Sequence, residues 1–569
     1  MKAGTSKSLR FAVWRSRFAV FALIALVVIL GHYLRFSSYG FYEDDYWAIT
    51  PYLTQPVGLL SNIFKNAFLY WPQGRPLNHS LPMALSIIGY KLGGLLGIYV
   101  LACAWLTVNA LLVYAIARRL LSGPSALLAA FVYVLFPADT TKILITHAAH
   151  VQGSMTFLLT GIYLWQIGGF WRWVSYAVAA LSLLAYESAF LPFLAVPLLW
   201  AGTRNATART WLIHIALCTL IVVVVAAVRL YTGDVRASGV VASPGESAYM
   251  LFTSLFLGPL TSFRMLLQGA WIGLQQYSYA GLFSVLILLT FVSLCRRYLV
   301  AVPTFIDRPR ANVWPSWLEK SRSASGHLPW WWILFAALIM LSGSYALTLT
   351  NYPPTQLSGR LTSTHVAAGW GTALAIAAIF EGAQRIAGKH TTSLTALVCV
   401  WVGTLLLYHD YVQREYVRAW EIQRDFWHQV IKLAPEAGPG WSIIFDGSVA
   451  DQSRMIASNS WADFHVCRQL LNPDSSANTP ACAHLGVTGH LIGFSLQDDG
   501  WEWNPSFWGE ARQSLDQRRL ILLRSDRGAL TRVVSIDTPA GRLESAVPST
   551  PNPAAVRWPN TTLGRIYFP

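Results

Sequence analysis

The chain is poor in charge. Asp, Glu, Lys and Arg make up 12% of its 569 residues, against 54% apolar residues, and the mean hydropathy is +0.43. A soluble protein of this length exposes more charge, so a single water-soluble globule is excluded. Cysteine is scarce too, with six in all. None sits in a CxxC pair or at the His/Cys spacing of a zinc site, so no metal centre is indicated. No run of basic residues interleaved with aromatics is present, which argues against a nucleic-acid face. No internal repeat relates two halves of the chain, as many transporters require.

What is present is a series of apolar runs of membrane-crossing length. Candidate spans lie near 18–34, 95–117, 124–137, 151–167, 173–186, 189–201, 211–230, 279–295, 330–349, 364–381 and 392–408, about eleven in all. The first follows Lys2, Lys7, Arg10, Arg15 and Arg17. It lacks a clear small-residue cleavage site and reads as a retained anchor. The net charge of +15 is distributed unevenly. Arg118 and Arg119, Arg172, Arg204 and Arg209, then Arg296, Arg297, Arg308, Arg310, Lys320 and Arg322, then Arg385 and Lys389, all fall on one side if the spans alternate. The positive-inside rule makes that side the cytoplasm. Arg35, Lys65 and Lys91 are scattered exceptions. The fold class expected is therefore an all-α polytopic protein of the cytoplasmic (inner) membrane, in contact with its lipids, carrying a small extracytoplasmic α/β domain at the C-terminus.

The outer segments hold the polar chemistry. The loop 35–94 contains FYEDDYWA, with Glu43, Asp44 and Asp45 adjacent, then the amphipathic LSNIFKNAFLYW, then WPQGRPLNHSLP with Arg75 and His79. The next, 138–150, carries Asp139, Lys142, His147 and His150; the third places Tyr186 and Glu187 between two apolar runs. The segment 231–278, with Arg236, Glu246 and Arg264, leaves room for another surface helix, and 350–363 brings Arg360 after a Pro-Pro turn. Residues 1–410 thus read as a transmembrane domain, 411–439 as an amphipathic connecting helix, and 440–569 as the α/β domain with strands at WSIIFDG, RRLILLRS and TRVVSIDT. Cys467 and Cys482 share that domain and read as a disulfide in an oxidising compartment. Cys103, Cys218, Cys295 and Cys399 read as small core residues.

Three like charges side by side repel and resist desolvation, and packing does not require them. A solvated loop is the plain reading. A site is the other: Asp44 or Asp45 can take a proton from an acceptor hydroxyl. Arg75, Lys142 and Arg360 can hold a phosphate, Arg by a two-pronged hydrogen bond and Lys as a point charge. The plain reading of each cation is snorkelling to head groups. Glu187, an acid between apolar runs, calls for a partner, so it reads as structural or catalytic. His147 and His150 read as buried or capped histidines, and so does His79, which stays among the binding candidates beside Glu43 and Glu187.

A basic N-terminus, one span and an acidic cluster in the first outer loop resemble the GT-C superfamily of membrane glycosyltransferases. EDDYWA looks like its acidic-pair motif. EDD followed by GRPL (Gly74 to Leu77) looks like the bacterial O-antigen glucosyltransferase branch, and YESAFLPFLA resembles bacterial members. The resemblance also takes in the protein O-mannosyltransferases and covers roughly residues 10–410. It implies an inverting hexosyl transfer from a polyprenyl-phosphate sugar to a glycan, lipid or protein acceptor outside the membrane. Asp44 and Asp45 would be the acidic pair, with Asp44 aligned to its first acid and Glu43 leaving the register open by one. No cofactor is implied, although three acids leave room for a divalent cation. Two other readings remain. An O-antigen polymerase or ligase usually carries Arg and His in a large late loop, and the segment holding Arg236 and Arg264 has no His. A lipid-linked sugar flippase would place charges within spans.

Overall fold

The computed structural model describes residues 4–201, 208–234, 243–300, 329–346, 354–446, 453–456, 462–471, 481–485, 493–497, 500–504, 513–526, 528–538 and 541–568. Arg204, Arg236, Arg308, Arg310, Lys320 and Arg322 lie outside them. The helices, in chain order, are α1 Gly4–Val28, α2 Asp45–Ala48, α3 Leu59–Tyr70, α4 Pro76–Arg118, α5 Gly123–Val134, α6 Ile145–Ile167, α7 Phe170–Ala185, α8 Leu198–Ala201 and α9 Ala208–Tyr231. They continue with α10 Pro244–Gln275, α11 Tyr279–Val300, α12 Trp330–Gly343, α13 Ala368–Ala387, α14 Thr391–Leu433, α15 Asp463–Leu471 and α16 Thr562–Tyr567. The chain is mostly helical, with its strands in the C-terminal part.

Contacts divide it into two compact units. One holds Met1–Phe36, Gly58–Leu85 and Leu96–Gln413; the other holds Ser37–Val57, Ser86–Leu95 and Arg414–Pro569. The acidic motif therefore shares a compact unit with the tail, and the amphipathic segment after residue 410 is the second half of α14.

In the first unit the physics is that of apolar helices. Among the described residues, five stretches are long and apolar enough to cross a membrane: Ser16–Ser38, Pro76–Arg118, Ala208–Tyr231, Pro244–Gln275 and Ala368–Leu433. α5, α7, α12 and Tyr279–Leu294 are apolar but shorter. The expected span at 189–201 is not one helix. Glu187–Ala189 and Leu191–Ala195 are 3-10 turns, and only Leu198–Ala201 is α-helical. Pro192 and Pro197 lack the N–H that an α-helix needs and clash with the preceding turn. α4 is longer than the expected 95–117 because it runs through Gly93 and Gly94, whose non-helical dihedrals mark a kink.

Helix ends sort into two sets. On one side the Arg119 guanidinium donates to the Gln166 carbonyl (3.3 Å), Ser125 donates to Glu381 (2.8 Å) and the Trp332 indole donates to the Leu198 carbonyl (2.6 Å). On the other, His32 meets the Val134 carbonyl (2.8 Å), Tyr345 meets His365 (2.6 Å) and Arg35 pairs with Asp410 (2.9 Å). Among the described residues, α10 meets the second set at several points along its length, and the Trp401 indole, partway along α14, donates to its Leu266 carbonyl (3.4 Å). Ser262 bonds Tyr345 (2.6 Å), a Cβ on Gly269 would lie 2.7 Å from Pro137, and Ser278, just past its end, donates to Asp410 (2.6 Å). α10 thus runs across these ends as a surface helix, despite a length that would span.

In the second unit, β1 (Ser442–Asp446) and β2 (Ala481–Leu485) pair in parallel, with α15 in the crossover between them. After β3 (Gly493–Gln497), β4 (Gly500–Asn504) and β5 (Gln513–Ser514) come β6 (Leu520–Asp526) and β7 (Ala529–Val533). The main sheet has the order β2-β1-β6-β7, with β6 parallel to β1 and antiparallel to β7. Ile444, Phe464, Ala483, Leu520 and Leu522 form its core. A disulfide joins Cys467 of α15 to Cys482 of β2. It closes a separation of 15 residues, which is worth about 3 kcal/mol by restricting the unfolded chain. Cys467→Ser with Cys482→Ser should therefore lower the unfolding free energy of this unit by about 3 kcal/mol. Limited proteolysis of the purified chain against temperature reads this directly; unchanged protection would show that α15 does not need the bond.

Candidate functional site

The acidic motif is a tight turn. The Asp45 N–H donates to the Tyr42 carbonyl (2.9 Å), and the Tyr42 N–H donates back to Asp45 Oδ2 (3.1 Å). The middle of the turn is left-handed, with Glu43 at φ +48°, a region that costs a side-chain-bearing residue about 1 kcal/mol or more. The three acids are thereby separated in role. Glu43 and Asp45 are buried, Asp45 as the cap of its own turn, whereas Asp44 is half-exposed. Tyr46, next in α2, is fully buried. Its hydroxyl lies 2.6 Å from Gln423 Oε1 and 2.9 Å from the Phe41 carbonyl, and it also meets the Tyr567 hydroxyl of α16. Gln469 of α15 donates to the Tyr46 carbonyl (3.0 Å). The His465 imidazole, on the same helix, is held down to about 4 by burial and by Arg468, with Asp44 acting in the opposite direction.

The second cluster lies in the first unit. Trp71 (φ +45°), Gln73 (φ +51°) and Gly74 (φ +67°) bend the chain sharply before α4. Gly74 is needed twice over: its φ is left-handed, and a Cβ there would sit 2.6 Å from Arg229 Nε and 2.7 Å from Asp234 Oδ2. The turn delivers Arg75, 4% exposed, into an ion pair with Glu187, 3% exposed. The Arg75 guanidinium also lies 4.9 Å from the centre of the Tyr186 ring. Arg229 approaches the other Glu187 oxygen (3.9 Å) and bonds Asp234 through Nε (2.6 Å). Burial alone would raise the Glu187 carboxyl, but Arg75 and then Arg229 outweigh it and hold it below its ordinary value.

Aromatic contacts extend this cluster. The His150 ring lies 6.1 Å from Tyr186 and 5.2 Å from His147, and Arg360 acts electrostatically on His147. The Arg360 turn is pinned by Thr140, whose N–H donates to Thr362 Oγ1 (3.1 Å) and whose hydroxyl accepts from the Gly359 N–H (3.1 Å). Among the described residues, Arg75 Nε and His147 Nδ1 are buried without a hydrogen-bond partner. Both are atoms that can donate to an anion.

Of the residues expected from sequence, Arg75, Glu187 and Arg360 therefore belong to one polar chain, and His79 stands half-buried on the first turn of α4. Lys142 is differently occupied. Its ammonium donates to the carbonyls of Tyr133 (3.1 Å) and Val134 (2.9 Å), so it caps the C-terminus of α5. Burial pushes it down to about 8, with Asp139 working against that. Arg229 and Asp234 were not singled out by sequence reasoning. Their signal was a lone arginine ending the apolar run IVVVVAAVRL, which needs a partner at membrane depth. Among the described residues no three His, Cys, Asp or Glu side chains gather as ligands for a metal ion.

No family model matches the chain, and no curated protein matches it. A solved structure similar to it is ArnT from Cupriavidus metallidurans bound to undecaprenyl phosphate, at 14% identity over 76% of this chain and 82% of that one, with a TM-score of 0.31.

Glu187→Gln should leave Arg75 and Arg229 short of counter-charge and cost about 3–5 kcal/mol. The sign in acid follows. A carboxylate whose folded pKa lies below the ordinary 4.5 stabilises fully above that pH, and the contribution fades as pH falls through the folded value. Thermal unfolding of the solubilised protein from pH 7 down to 3 should show a shallower acid decline in the variant. Parallel curves would remove Glu187 from the account.

Proposed function

We propose that the chain is a glycosyltransferase that moves a sugar from a polyprenyl-phosphate donor to a hydroxyl of a glycan, lipid or protein acceptor at the outer face of the cytoplasmic membrane. The observation that carries this reading is the location of backbone strain. Among the described residues, the non-glycine positions with positive φ are Glu43, Trp71 and Gln73. All three fall in the acidic turn or in the turn before Arg75. Such strain costs about 1–3 kcal/mol per residue and collects where geometry serves function.

In the proposed reaction Asp44 is the base, because it is the acid of the motif that solvent reaches. Asp44 takes the acceptor proton as the acceptor oxygen bonds the anomeric carbon from the side opposite the leaving group. The bond from that carbon to the lipid phosphate breaks, and the configuration inverts. The phosphate departs as an anion, so no acid is needed to protonate it. Within the first unit, Arg75 and Arg360 are the candidate cations for such a phosphate, and the Nε–H of Arg75 is a buried donor of the kind an anion accepts from. Asp45 keeps the turn closed. The disulfide of the tail suits an oxidising, extracytoplasmic side.

The test is the composition of surface glycan and lipid-linked sugars, by mass spectrometry, in a strain lacking the gene and complemented with variants. Wild type should restore the missing sugar and clear the accumulated donor. Asp44→Asn should cut transfer by about 10²–10⁴, the usual worth of a general base. Full restoration by Asp44→Asn would overturn the assignment.

A further inference from the structure

We propose that His465, from the C-terminal part of the chain, is a positioning residue that holds the Asp44 carboxylate in its working orientation. The inference rests on the glycosyltransferase reading and extends it, because it gives the tail a part in the reaction.

Four observations carry it. First, the acidic turn belongs to the compact unit built by the tail. Second, α15 is docked on α2 through the hydrogen bond from Gln469 to the Tyr46 carbonyl (3.0 Å). Gln469 and His465 are four residues apart, hence on one face of the helix. Third, that face is the half-exposed one. His465, Arg468 and Gln469 are half-buried, whereas Phe464, Val466, Cys467 and Leu470 are buried. Fourth, α15 is a rigid platform, bonded to β2 by the disulfide and anchored through Phe464 in the core of the sheet. His465 and Asp44 interact electrostatically across this contact.

The chemistry suits the role. Burial and Arg468 keep His465 neutral at physiological pH, since its value is near 4. A neutral imidazole can donate a hydrogen bond to a carboxylate without handing over a proton. It therefore fixes the base and leaves it basic, which a protonated partner of ordinary pKa would do less well. The arrangement parallels the general logic of a base oriented by a third group.

The experiment is carboxyl footprinting of the full-length protein with a water-soluble carbodiimide and an amine, read residue by residue by mass spectrometry. In His465→Ala, Asp44 should label several-fold faster than in wild type, while the buried Asp45 keeps its rate. His465→Asn, which retains a donor, should stay near wild type and serves as the control for folding. Equal Asp44 labelling in wild type and His465→Ala overturns the proposal. Transfer kinetics give the second arm. His465→Ala should lower kcat by about tenfold and leave KM for the lipid donor within twofold; combined with Asp44→Asn it should add nothing, since both act through one group. Additive losses also overturn it. The footprint needs no activity. If Asp44→Asn leaves transfer intact, the base assignment falls, while the labelling still decides whether His465 holds Asp44.

Discussion

A charge taken out of water must find its counter-charge, and in the first unit that requirement fixes more than any apolar contact does. Arg75, Glu187, Arg229 and Asp234 are each 7% exposed or less. Removing any such ion from water costs several kcal/mol even after relaxation. The cost is met only because three separate pieces of chain converge: the turn before α4, the 3-10 turn after α7, and the end of α9 with the residues just past it. Apolar helices slide against one another with little penalty, since lipid is as good a neighbour as another helix. The ion cluster does not slide. It explains why the chain accepts a broken segment at 187–201 and a bend through Trp71, Gln73 and Gly74. A straight helix at either place would carry Glu187 or Arg75 away from its partners.

The same accounting applies to uncharged groups at the end of α5. Its last carbonyls have no helical partner. Lys142 donates to those of Tyr133 and Val134, and His32 of the π-helical turn after α1 meets Val134 as well. The Gln413 amide does likewise for the carbonyls of Leu30 and Gly31 (2.9 and 3.0 Å). Polar side chains in this unit thus serve two needs. Some close open backbone, and some gather charge. The distinction is geometric, and it separates Lys142 from Arg75 although both are buried cations in segments between helices.

That distinction was not legible in the sequence. Lys142 and Arg75 look alike as cations beside Pro and Thr, and only the fold says which one reaches a carbonyl. Arg229 was legible in principle, as a charge in an apolar run with Asp234 five positions on, but Glu187, which it also approaches, is 42 positions away and no local pattern announces it. α10 falls in the segment 231–278, read as an outer one with room for a surface helix, although its length and apolarity are those of a span. Pro192 and Pro197 announced a break that hydropathy averaged away. In the tail, β1, β6 and the cysteine pair followed from composition and compartment, whereas β2 to β5 carried no such signal and the run TRVVSIDT divides between β7 and a further strand, Ser535–Thr538, in another sheet. The union of residues 37–57 with 414–569 did not follow from them, because it rests on contacts such as Tyr46 with Tyr567 that span most of the chain.

The acidic turn shows why three carboxylates stand together when chemistry needs one. Adjacent residues in a turn point in different directions, so the repulsion expected of three like charges is relieved by sending them to different surroundings. Asp45 spends its charge on the backbone N–H of Tyr42, which closes the turn. Glu43 occupies the left-handed position that reverses the chain and is buried there. Asp44, between them, is what the turn presents. A glycine at position 43 would adopt the same φ without strain, and an Asn at 45 would still accept from Tyr42. The strained and doubly acidic version makes the turn costly to form and dependent on the surrounding tail to hold it, through Gln423, Gln469 and Tyr567. Exposure of Asp44 is therefore a property of the whole second unit rather than of the motif, which is why a short acidic string identifies the place of the chemistry while leaving its geometry to residues far along the chain.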